Sequence, residues 1–186
     1  MSRAPDFVVQ IIKDYWKPGQ KILEIGCGPA FLREDFGKNY IGSDITKEPY
    51  NLDLPRDVDI VCPAENLCVD DNSIDIVVIK SAFFLFDNHM KSLNEIMRVL
   101  KPGGKVIIFD YNKRIQKDLQ RKEGHNQYPC WTQWSLKKLL QRHYFNDVTN
   151  LIASTKQPSK ITKPYHLLRQ EIFGTWAIVY GIKRHG

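Results

Sequence analysis

Several things are scarce in this chain, and each scarcity excludes something. No apolar run approaches the ~20 residues that a membrane-spanning helix needs, and the opening MSRAPDFVVQ lacks the apolar core of a secretory signal. The four cysteines (Cys27, Cys62, Cys68, Cys130) form no CxxC pair and no Cys/His zinc spacing. The five histidines show no metal-ligand spacing either. Reduced thiols and a cytoplasmic location are the simplest expectation, with no membrane and no metal. Internal repeats and low-complexity tracts are also missing, which excludes solenoids and long linkers.

What is present suits one domain with a real core: 186 residues, 42% hydrophobic and 26% charged. The formal net charge of +6 raises nucleic acid as a partner. The basic residues are spread out, however. The densest group, Lys113, Arg114, Lys117, Arg121 and Lys122, reads as a solvated helix face.

The apolar spacing of Phe7, Val8, Ile11, Ile12 and Tyr15 predicts a helix stopped by Pro18-Gly19. Strands are expected at 21–25, 40–43, 58–62, 74–79 and 105–109. A short helix is expected around 31–36 and a longer one at 89–100, with Lys101-Pro102-Gly103-Gly104 as the turn after it. A helix at 131–143 has Trp134, Leu136, Leu139 and Leu140 as its expected apolar face. Late strands are expected at 148–153 and 175–182, with a helix around 165–173 between them. Strands alternating with helices predict an α/β three-layer sandwich.

The chemistry gathers at Ile22-Leu23-Glu24-Ile25-Gly26-Cys27-Gly28-Pro29-Ala30. An apolar run carrying one acid breaks into two glycines. A second acid, Asp44, ends the next apolar run sixteen residues past Gly28. In such folds a ligand sits beyond the carboxyl ends of the strands, where strand order reverses. Gly26 and Gly28 allow close backbone approach, the next helix offers free N–H groups, and Asp44 suits two ribose hydroxyls. A dinucleotide loop wants a third glycine where this chain has Phe31. Glu24 would repel a pyrophosphate but suits an ammonium group. Adenosine at one end and a cationic amino acid at the other describe S-adenosylmethionine.

ILEIGCGPA resembles the first motif of class I S-adenosylmethionine-dependent methyltransferases. Asp44, the stretch Cys62-Pro63-Ala64-Glu65-Asn66-Leu67, the approach Asp71 to Val77, and Asn94 to Gly104 are similar to later family motifs, in the right order. The resemblance implies a Rossmann-like sandwich with a mostly parallel seven-stranded sheet and an antiparallel last strand. It implies a single domain over 1–186, with an N-terminal helix in 1–19 and a candidate acceptor-binding segment at 111–134. The cofactor would be S-adenosyl-L-methionine and the product S-adenosyl-L-homocysteine.

It also implies roles for individual residues. Glu24 would face the ammonium, and Gly26, Cys27 and Gly28 would line the methionine and ribose. Asp44 would hold the ribose, Ile45 would lie on the adenine, and Ala64 and Glu65 would border its edge. Lys80 and Ser81 would lie near the sulfonium and the acceptor. Pro63 stands where relatives often carry an acid for the adenine amino group, so backbone groups or Glu65 must serve.

The acceptor is not identified by sequence. No Asn-Pro-Pro-Tyr-like motif follows the fourth strand. Phe84, within Phe83 to Phe86, is either core or pocket floor. His125, Tyr128 and Trp131 either grip an acceptor or pin a surface loop. Methyl transfer in-line needs alignment and water exclusion more than a base, so no catalytic residue is assigned. A small-molecule acceptor is the expectation, with nucleic acid or protein as lesser options. The alternatives are a non-catalytic S-adenosylmethionine-binding module acting through a partner, and a nicotinamide-dependent oxidoreductase, which Glu24 and Phe31 oppose.

Overall fold

A computed structural model describes residues 6–48, 56–113, 116–118, 121, 129–143, 145–151 and 176–184. In chain order the elements are helix α1 (Asp6–Tyr15), strand β1 (Ile22–Ile25), helix α2 (Arg33–Phe36) and strand β2 (Tyr40–Asp44). Strands β3 (Ile60–Val61) and β4 (Ile74–Lys80) follow, then helix α3 (His89–Val99) and strand β5 (Leu100–Tyr111). Helix α4 (Gln133–Arg142) precedes strands β6 (Phe145–Leu151) and β7 (Trp176–Lys183).

The strands form one seven-stranded sheet in the order β3-β2-β1-β4-β5-β7-β6. The first five run parallel, and β7 lies antiparallel to both β5 and β6. The central strand β4 has helices over both faces, which bury Ile76 to Ile79 and account for its nearly unbroken apolar run. One apolar layer joins α1 to Ile22, Ile76, Val78 and Ile107. The other joins α3 and α4 to Leu23, Val77, Ile79 and Ile108. The alternation along each strand thus builds a three-layer sandwich.

The helices start where side chains can satisfy their first N–H groups. Asn88 accepts from Lys91 N at 3.0 Å at the head of α3. Thr132 and Ser135 cap the head of α4 reciprocally.

Several expectations change. The helix expected over 31–36 is a single turn, α2, because Cys27 to Leu32 turns tightly and uses up that length (Ala30 N–H to Cys27 O, Arg33 N–H to Ala30 O). The third strand shrinks from 58–62 to two residues at the sheet's edge, where only one neighbour supplies hydrogen bonds. Lys101 to Gly104 is part of β5 rather than a turn ahead of it. The strand bulges between the pairs Ile74–Leu100 and Ile76–Lys105. Gly103, at φ 75°, and Gly104, whose Cβ would meet Lys101 O at 2.8 Å, explain the two glycines. On α4, Trp134 is exposed while Gln133 is buried, so the apolar face is rotated from the expected one. The late strands run 145–151 and 176–183, while the helix expected around 165–173 lies outside the described residues.

Candidate functional site

Strand order reverses between β1 and β4, and the loops leaving their carboxyl ends meet there. The β1 loop is pinned to β2 by Gly26 and Cys27 N–H groups, both donating to Ser43 O at 2.8 and 3.0 Å. It continues through left-handed backbone at Gly26, Gly28 and Ala30. Ser81, the first residue past β4, is also left-handed at φ 55°, with its N–H held by Phe109 O at 2.8 Å. Such strain in a non-glycine residue gathers at functional sites.

Glu24 stands on the α1 face of β1 and is fully buried. Tyr40 Oη donates to its Oε2 at 2.5 Å, while Oε1 is buried with no hydrogen-bond partner among the described residues. Burial pushes its carboxyl up to about 7, against the pull of Lys80 and the Tyr40 hydrogen bond. Lys80, half-buried, holds its Nζ 5.9 Å from the centre of the Phe31 ring. An unmatched carboxylate oxygen beside a cation is a receptor for a group carrying both charges, such as an amino-acid end.

Asp44 sits across the loop. Its Oδ2 accepts from Gly28 N–H at 2.8 Å. Its Oδ1 accepts from Ile45 N–H at 2.8 Å and pairs with Arg56 Nη1 at 2.8 Å. Arg56 was not singled out from the sequence. It lies twelve residues beyond Asp44 with no motif to mark it. Ile45 is 66% exposed, an open apolar surface next to Asp44. A Cβ at Gly28 would meet nothing within 4 Å, so the space above it is open.

Three expected residues also have structural contacts of their own. A Cβ at Gly26 would lie 2.5 Å from Ala82 Cβ, so packing on the β4 exit requires a glycine here. The Cys27 thiol is buried against Gly42 and pushed up to about 12, first by burial and then by Glu24. Glu65 directs Oε1 at α3, accepting from Asn88 N–H at 3.0 Å and Ser92 Oγ at 3.1 Å. Ala64, beside it, is buried.

On the opposite side of the β4 exit, Asp110 ends β5 fully buried. It accepts from Tyr111 N–H at 2.8 Å and Phe84 N–H at 3.1 Å, so it ties the β4 loop to β5. Burial pushes its carboxyl up to about 7. Gln116 Oε1 accepts from Trp131 N–H at 2.7 Å. The Trp131 ring packs on Phe83 and His89, with centroids 5.7 and 5.1 Å apart. Its Nε1 is buried without a hydrogen bond among the described residues, whereas the Gln116 side chain faces the Asp110 carboxyl. Phe83 is core, and Phe84 is half-buried. His125 and Tyr128 lie outside the described residues. The sequence reading passed over Asp110, although an acid closing an apolar strand is the same signal that marks Glu24 and Asp44.

Residues 23–108 match the methyltransferase domain family. The chain is similar to phosphoethanolamine N-methyltransferase 1 of Arabidopsis thaliana, at 30% identity over 51% of this chain and 22% of that protein. It is also similar to the ubiquinone/menaquinone biosynthesis C-methyltransferase of Vibrio cholerae, at 30% identity over 56% of this chain and 46% of that protein. The chain therefore spans about a fifth of the plant relative and under half of the bacterial one. In fold it resembles a SAM-dependent methyltransferase of Thermotoga maritima, with TM-score 0.71, 19% identity, and coverage of 96% of this chain and 88% of that one. Among the described residues no helix is long and apolar enough to cross a membrane. In residues 23–108 and in its strand order, the chain is similar to the class I S-adenosylmethionine-dependent methyltransferases.

Proposed function

We propose that this chain is a methyltransferase that takes its methyl group from S-adenosylmethionine and delivers it to a small molecule. The observation that carries this reading is the buried, unmatched Oε1 of Glu24 at the mouth of the glycine loop. A buried charge without a partner is costly, and an ammonium group in hydrogen-bond reach removes that cost.

The residues divide the work. Glu24 holds the ammonium, and Lys80 faces the carboxylate of the same amino acid. Gly28 leaves room for the ribose. Asp44 has three donors on roughly four acceptor positions, so it takes one ribose hydroxyl as it stands and a second when Arg56 swings aside. Ile45 covers one adenine face and the backbone at Ala64 borders its edge. The sulfonium supplies an already activated methyl group. The protein then has to align the acceptor and exclude water.

The acceptor side is the segment 111–134 with Ser81 and Phe84. Trp131 Nε1 is a buried donor without a partner among the described residues there. The two relatives named above act, by their names, on phosphoethanolamine and in quinone biosynthesis. A small polar amine and a quinone precursor are therefore the first acceptors to offer. The chain acts as a single domain in this reading.

Calorimetry with S-adenosylmethionine and S-adenosylhomocysteine, followed by assay for S-adenosylhomocysteine release with those acceptors, tests the proposal. Micromolar binding with turnover supports it. Binding without turnover on any acceptor class moves the chain to a non-catalytic module, and absence of binding rejects the cofactor.

A further inference from the structure

We propose that Cys62 and Cys68 form a thiol pair that a peroxide closes into a disulfide, and that the closed form binds the nucleoside cofactor more weakly. The second half rests on the cofactor reading above.

Cys62 follows β3 and is buried, whereas Cys68, six residues later, is exposed. The segment between them folds back on itself. Asn66 N–H donates to Pro63 O at 3.1 Å, and Cys68 N–H donates to the Cys62 sulfur at 3.4 Å. Ser43 Oγ lies 3.3 Å from the same sulfur. The thiols are near enough to interact side chain to side chain, and the Cys62 charge is the first cause that raises the Cys68 thiol. Packing alone accounts for a buried cysteine beside a serine. It does not call for a second, exposed thiol folded onto the first. The other two cysteines differ, since Cys27 is sealed against Gly42 and Cys130 lies far along the chain, after β5.

The chemistry balances with the peroxide as oxidant. The exposed Cys68 sulfur takes one peroxide oxygen, so an S–O bond forms, the O–O bond breaks, and water or an alcohol leaves. The Cys62 sulfur, held by the Cys68 N–H, then attacks the Cys68 sulfur. An S–S bond forms, the S–O bond breaks, and the hydroxyl departs as water with the Cys62 proton. The two sulfurs lose two electrons, which the peroxide gains.

The short ring encloses Ala64 and Glu65. Cys62 N–H donates to Asp44 O at 3.0 Å, and Glu65 holds the head of α3. Drawing the Cys62 sulfur from Ser43 onto Cys68 shifts the backbone that joins Asp44 to the adenine edge. That displacement reaches the ligand without any change in Glu24 or Gly28.

The test uses the full chain, treated with hydrogen peroxide, then alkylated and cut with trypsin. Cleavage after Arg56 and Lys80 yields one peptide that contains both thiols and no other. The expected peptide is unalkylated and two hydrogens lighter. Calorimetry should show S-adenosylhomocysteine binding at least about tenfold weaker after peroxide, about 1.4 kcal/mol, and restored by dithiothreitol. The Cys68→Ser protein should bind like the reduced chain before and after peroxide. Two alkylated thiols after peroxide would overturn the pair. A cross-link with unchanged affinity, or equal loss in Cys68→Ser, would overturn its control of the site. A reduced chain that binds no S-adenosylhomocysteine would sink the cofactor reading and that control together, while the peptide mass still decides the thiol pair.

Discussion

The carboxyl ends of β1 and β5 carry the same device and use it differently. Glu24 and Asp110 each close an apolar strand, each is fully buried, and burial raises each carboxyl to about 7. Asp110 has a backbone N–H on each oxygen, from Tyr111 and Phe84. Glu24 has the Tyr40 hydroxyl on one oxygen and no hydrogen-bond partner among the described residues on the other. A raised acidity constant therefore does not mark the binding site. In the proposed reading the unmatched oxygen does, and the matched acid is a brace that holds the β4 exit against β5.

The largest expected effect breaks the β1 end outright. Gly26→Val places a branched side chain where even a Cβ is 2.5 Å from Ala82, on backbone at φ 72°. The fold should lose about 3 kcal/mol, from overpacking and left-handed strain together. Urea denaturation measures it. A fully stable Gly26→Val protein would mean that the β1 and β4 exits are not packed as described.

Next in size is the charge of Glu24. Glu24→Gln should weaken S-adenosylhomocysteine binding by about 1.5–3 kcal/mol, the range for a hydrogen bond to a charged group. Asp44→Ala should cost about 1–3 kcal/mol by the same argument, tempered by the donors already on that carboxylate. Calorimetry on both variants reads this directly. Unchanged affinity in Glu24→Gln would return Glu24 to the same structural role as Asp110.

A pH series separates the two acids without removing either. Both carboxyls sit above their unfolded values of 4.5 and 3.8. The folded protein thus holds their protons more tightly. The stability each contributes is complete below its unfolded value and is lost as pH rises through about 7. The melting temperature should fall over that window. Saturating S-adenosylhomocysteine brings an ammonium to Glu24, favours its charged form, and cancels the share due to Glu24 only. The ligand should flatten the profile in Asp110→Asn and leave it sloping in Glu24→Gln. Equal flattening in both variants would contradict the division of roles.

Much of this was legible beforehand, because apolar runs, glycine pairs and strand-ending acids are local signals. Strands β1, β2 and β4 and the long helix α3 fall within a residue or two of the expected bounds. The misses come from tertiary packing. Trp134 is exposed because Gln133, one position earlier, faces inward on α4. Nor were two structural partnerships visible: Glu65 caps a helix that is distant in sequence, and Gly26 answers to Ala82, two residues past β4. Asp110 and Gln116 border a segment without any period, so nothing in the sequence paired them with Phe84 and Trp131.

The smallest expected effect is the sharpest check on the brace. Asp110→Asn keeps the shape but turns an amide NH₂ toward one of two backbone N–H groups, which should cost stability of about 1–3 kcal/mol. Affinity for S-adenosylhomocysteine should move by less than about 0.5 kcal/mol, as for substitutions outside a contact. The two N–H donors already on Asp110 leave a ligand ammonium little to gain there. If affinity falls together with stability, the β4 loop transmits strain from Phe84 back to Ser81 and the glycine loop. The two strand ends would then be one coupled site rather than a pocket and its support.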